Sequence, residues 1–143
     1  MKACGEFEVN LNPLDVCHQG GNGINFGRMS IDKSFSGDLA ATSNGEMFSA
    51  MTAVQGSAAY VALEQVNGTL DGKNGSFVLQ HYGVMNHGNS RLILEVVPDS
   101  ATEELSGLSG KMTINIDNGK HFYEFEYELP KENGSQQKTG EDV

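Results

Sequence analysis

The chain has 143 residues, 38% of them hydrophobic, with 18 Gly and no Trp, the size and apolar content of one folded domain. A chain of this length buries roughly two-thirds of its unfolded surface, so it needs no disulfide or metal staple to fold. Nineteen acidic against nine basic side chains give a net charge of -10, the wrong sign for nucleic acid or an anionic membrane, and neither is expected as a partner.

Apolar residues recur at every second position, the period of a half-buried strand, and helical spacing is hard to find. Phe7, Val9 and Leu11 alternate with Glu6, Glu8 and Asn10, and Met29, Ile31 and Phe35 alternate with Arg28, Ser30, Asp32 and Ser34. From Phe48 to Ala62 small residues surround Gln55-Gly56-Ser57, which predicts two strands joined by a tight connection. Tyr60-Val61-Ala62-Leu63 is apolar on both faces. Such a strand calls for cover on both sides, and Val61 and Leu63, at the parity opposite Tyr60 and Glu64, predict an exterior stripe buried in a homodimer or higher homo-oligomer.

In the second half Asn67-Gly68, Asp71-Gly72 and Asn74-Gly75 supply positive-φ positions between strand-like runs. Ser76 to Met85 and Leu92 to Val97 read as the next two strands, separated by His87-Gly88-Asn89. Pro98 to Gly107 reads as a loop or one short helical turn. Met112, Ile114 and Ile116 form one inward face, and Asn118-Gly119 turns the chain into Tyr123, Phe125, Tyr127 and Leu129. The domain is thus expected to span residues 1–129, with 130–143 a disordered polar tail too poor in apolar residues to offset its ordering entropy.

About eight strands with regular turn signals predict an all-β fold, a closed antiparallel barrel or a sandwich; a barrel of eight is just wide enough to fill with side chains or hold one small ligand. The runs Gly27-Arg28-Met29-Ser30-Ile31-Asp32-Lys33, Tyr60 to Leu70, and Gly75-Ser76-Phe77-Val78-Leu79-Gln80-His81 resemble the domain-of-unknown-function family 3224. Val97-Pro98-Asp99-Ser100, Leu105 to Ile114, and Gly119-Lys120-His121-Phe122-Tyr123 extend the resemblance over most of residues 5 to 129. It implies an eight-stranded antiparallel closed barrel similar to that of allene oxide cyclase, and no particular activity.

Other patterns carry little chemistry. His81 and His87 share strand parity but six residues separate them by roughly 20 Å, too far for one metal ion; His81 can instead meet His121 or a carboxylate across strands. Cys4 and Cys17 lack CxxC spacing, and Met1 to Glu6 lacks the apolar run of a signal peptide, so reduced thiols in the cytoplasm are expected. Ser30-Ile31-Asp32-Lys33 matches S-x-x-K, yet on a strand its Ser and Lys point to opposite faces. Gly21-Asn22-Gly23 precedes a strand rather than a helix, so it is no phosphate loop. No metal or cofactor is expected.

The candidate site rests on polar residues within apolar strands: Glu46, Tyr60, Glu64, Gln80, His81 and Tyr82. If Tyr60 and Glu64 share one face and Gln80 and Tyr82 the facing one, a carboxylate, an amide and two phenols meet in the lumen. There they would bind a small, partly apolar organic molecule. A cofactor-independent isomerase or cyclase is the alternative, with Glu64 or Glu46 as acid or base and Gln80, His81, Tyr60 or Tyr82 polarising the substrate. The third reading is a structural homo-oligomer with a self-satisfied network in a filled barrel.

Overall fold

A computed structural model describes residues 1–131; from residue 132 on, the expected tail lies outside the described residues. Eight strands follow in chain order: β1 (Lys2–Leu14), β2 (Asn25–Gly37), β3 (Leu39–Met51), β4 (Ala58–Leu70), β5 (Lys73–Asn86), β6 (Asn89–Val96), β7 (Ser109–Asp117) and β8 (Lys120–Glu128). Each pairs antiparallel with its chain neighbours, and β8 closes on β1. The result is an up-and-down barrel without a free edge.

The two-residue period assigns the faces. Register sets Lys33 of β2 beside Ser43 of β3, Gly45 beside Glu64 of β4, and Ala62 beside His81 of β5, all inward. Two-residue turns with positive φ at both positions join the strands at Asp71-Gly72, His87-Gly88 and Asn118-Gly119, the geometry that matches strand twist. Asn67-Gly68 and Asn74-Gly75 are not turns. They lie inside β4 and β5, where Gly68 pairs with Gly75. The glycine at 75 answers a close approach instead: a Cβ there would stand 2.4 Å from the Thr102 carbonyl oxygen.

β3 begins at Leu39, nine residues before the expected Phe48. Its first half escapes a hydrophobicity reading because its inward residues after Leu39 are small: Ala41, Ser43 and Gly45. That shortage of bulk leaves room for longer polar side chains from β2 and β4.

The two ends of the barrel differ. One is plugged by Leu39, Leu70, Phe77 and Phe125, all essentially inaccessible, with Phe77 and Phe125 stacked at 5.9 Å between ring centroids. The segment between β6 and β7 folds under this end through a single 3-10 turn, Glu103–Leu105, which buries Leu105, and Leu108 is buried beside it. Ser76 and Val78 tie the segment to β5, each backbone N–H donating to a hydroxyl, Thr102 Oγ1 and Ser100 Oγ, at 3.0 Å. Two tyrosines pin the neighbouring hairpins. Tyr123 donates to the Ser36 carbonyl at 2.7 Å and accepts from the Leu39 N–H at 2.9 Å, and Tyr127 donates to the Asp71 carboxylate.

Candidate functional site

Midway along the lumen, above the apolar plug, lies a buried polar cluster centred on Glu64. Its side chain is wholly inaccessible, and that of Lys33 nearly so. Lys33 Nζ donates to Glu64 Oε2 at 2.8 Å, His81 Nε2 bonds the same oxygen, and Ser43 Oγ donates to Oε1 at 2.6 Å. The Lys33 ammonium also lies 4.8 Å from the centroid of Phe7 and 5.8 Å from that of Phe35, so ring faces supply part of the stabilisation that water would otherwise give.

Burial by itself would raise the Glu64 pKa; the His81 bond, the Lys33 charge and the Ser43 hydroxyl overcome it and hold the carboxyl at about 2. Glu64 is therefore an anion at neutral pH, saturated by three donors and weak as a base.

Tyr60 stands on the inner face between this cluster and the other end of the barrel. Its ring lies over Gly83, where a Cβ would come within 2.3 Å of the ring, and 6.3 Å from His81. Burial, then the charge of Glu64, pushes its hydroxyl pKa up. The hydroxyl stays protonated, and among the described residues it has no hydrogen-bond partner.

Of the six residues singled out in the sequence, the structure brings Tyr60, Glu64 and His81 together. Gln80 and Tyr82 do not join them. They pair with Leu63 and Val61 and face outward, because inward parity on β5 belongs to Phe77, Leu79 and His81. Glu46 is also outside, exposed and bonded to Arg28 at 2.8–2.9 Å. The carboxylate that meets His81 across strands is Glu64, whereas His121 packs on the Phe7 ring at 5.1 Å. Sequence reasoning missed Lys33 and Ser43. The signal was present for Lys33: it shares parity with Met29, Ile31 and Phe35, a cation on an otherwise apolar face.

Beyond Tyr60 the lumen opens. Leu11, Met51, Met85, Leu92 and Ile116 all have inward parity, yet they are 45, 59, 41, 40 and 62% exposed. Met29, Met47 and Tyr60 beneath them are half-buried. This end of the barrel thus presents exposed apolar side chains around Tyr60, beyond the buried polar cluster.

The family pattern for DUF3224, described as "Protein of unknown function", matches residues 3–127. The chain belongs to the DUF3224 family. It is similar to a protein of unknown function of that family from Shewanella oneidensis MR-1, known from a crystal structure at 1.84 Å resolution. The two are 56% identical, over 92% of this chain and 98% of that one, with a TM-score of 0.89. No curated protein matches the chain. Among the described residues no helix is long and apolar enough to cross a membrane, and no three His, Cys, Asp or Glu side chains converge as a metal site.

Proposed function

We propose that this DUF3224 barrel is a binding protein whose open end takes up one small, partly apolar organic molecule carrying a hydrogen-bond acceptor. One observation carries the reading: inward-facing apolar side chains are 40–62% exposed at the open end, while Leu39, Leu70 and Phe125 at the other are at most 1% exposed. A barrel that needed only a packed core would gain by closing both ends alike, since exposed apolar surface forgoes about 25 cal/mol per Å². The Tyr60 hydroxyl, a free donor beside these side chains, supplies the orienting contact that such sites use. Glu64, saturated and weakly basic, suits a positioning role better than acid–base catalysis, which favours binding over an isomerase or cyclase reaction. The likeness to the allene oxide cyclase barrel belongs to this proposal as fold alone. A cytoplasmic setting fits two exposed, free cysteines, Cys4 and Cys17.

The test is a titration with 1-anilinonaphthalene-8-sulfonate, an apolar probe with acceptor oxygens. Saturable binding at one site per chain is expected, weakened at least about tenfold by Leu92→Glu at the open end and left unchanged by Val61→Ser on the outer wall. Binding that survives Leu92→Glu, or vanishes with Val61→Ser, overturns the proposal.

A further inference from the structure

Outside the barrel, register alone builds a second feature. Arg28 pairs with Phe48, Phe48 with Val61, Val61 with Tyr82 and Tyr82 with Ile93, so five outward side chains form one continuous row across β2 to β6. The four apolar members are each around half exposed. The next row toward the open end is Phe26, Ala50, Ala59, Val84 and Arg91, and Phe26 stacks on Phe48 at 5.3 Å between centroids. On the other side come Ser30, Glu46, Leu63, Gln80 and Glu95, with Leu63 more than half exposed. A concavity of about 740 Å³ lies on this wall, lined by Arg28, Phe48, Val61, Leu63 and Gln80 among others.

We propose that this wall is the interface of a homodimer, its occupant a second copy of the same chain. Charge is the first argument. The chain carries -10 overall, which opposes self-association through most of its surface. These three rows hold two cations, Arg28 and Arg91, and two anions, Glu46 and Glu95, and sum to zero. Arg28 and Arg91 are also the only arginines in the chain, and arginine with exposed aromatics is the composition that marks interfaces.

Symmetry is the second argument. Arg91 and Glu95 flank Ile93 on the same face of β6. A two-fold axis lying along the Phe48–Val61–Tyr82 row sets each apolar residue against its own copy and Arg91 of one protomer over Glu95 of the other. Arg28, at the far end of the row, is already neutralised by Glu46. Unrolled, five strands at about 4.8 Å and three rows at about 6.8 Å span on the order of 500 Å²; because the barrel wall curves, the centre of the patch on β3 to β5 makes the contact, the scale of a small interface.

Sedimentation velocity on the full chain tests this from about 1 to 100 μM. A dimer is expected for the wild type, with Val61→Asp and Leu63→Lys each weakening it at least about 30-fold, as substitutions at the centre of an interface do. Both residues face solvent in the protomer, so an unchanged far-ultraviolet spectrum checks that the fold survives. In a Cys4→Ser/Cys17→Ser background, Val61→Cys should form an intermolecular disulfide on mild oxidation, since the axis passes through it. A wild type that stays monomeric, or an assembly that survives both charged variants, overturns the proposal. So does a monomer that co-floats with phosphatidylcholine vesicles, which would assign the wall to a lipid surface.

Discussion

Glu64 and His81 sit two residues out of register on adjacent strands, Glu64 opposite Leu79 and His81 opposite Ala62, and their side chains meet diagonally inside the barrel. Same-face diagonal neighbours lie about 7–8 Å apart at their backbones, a gap that a glutamate and an imidazole together span. Lys33 reaches the same carboxylate from β2, passing over β3 where Ser43 and Gly45 are too small to block it. Three strands are thereby tied to β4 through one side chain.

Removing Glu64 should be costly. Glu64→Ala strands the Lys33 ammonium in a buried site, and a loss of about 3–5 kcal/mol in urea denaturation is expected. Glu64→Gln keeps an acceptor for Ser43 but not the countercharge, and should fall between. Adding Lys33→Met to Glu64→Gln should recover most of the loss, because removing both charges removes the desolvation penalty with the attraction. Additive losses in the double variant would refute the coupling.

Acid stability follows from the same group. The Glu64 pKa is lowered in the folded protein from 4.5 to about 2, so its contribution is fully present above pH 4.5 and is lost as the pH falls through about 2. The alkaline side has the opposite sign. Burial, then the Asp71 carboxylate, raises the Tyr127 hydroxyl from 10.0 to about 12, so that contribution is complete below pH 10 and disappears as the pH rises through about 12. Thermal unfolding followed against pH should show the acid limb flattened in Glu64→Gln and the alkaline limb flattened in Tyr127→Phe. Parallel limbs in wild type and variants would count against both assignments.

Tyr123 holds the β2–β3 turn by giving one hydrogen bond and accepting another. In Tyr123→Phe the buried Leu39 N–H loses its acceptor, which should cost about 1–3 kcal/mol. Amide exchange at Leu39 should accelerate relative to that at Leu79, two strands away on β5. Uniform acceleration at both sites would mean a global loss rather than the release of one turn.

Residue order alone determined the all-β class, the strand count, the Asn118-Gly119 hairpin and the polar residues that interrupt apolar strands, because alternation and turn chemistry are local properties of the chain. It also marked Val61 and Leu63 as outward. It misjudged Gln80 and Tyr82, since one strand read alone leaves its inward face undecided wherever both faces carry apolar and polar residues, and only the pairing of Ala62 with His81 decides it. Closure decided the rest. Lys33, Ser43 and Glu64 stand on three different strands and become neighbours only when the sheet curls far enough for their side chains to share one lumen. Asn74-Gly75 looked like a turn because glycine reports permissiveness without its cause, and the cause, a backbone oxygen of Thr102 pressed against β5, lies more than twenty residues away along the chain.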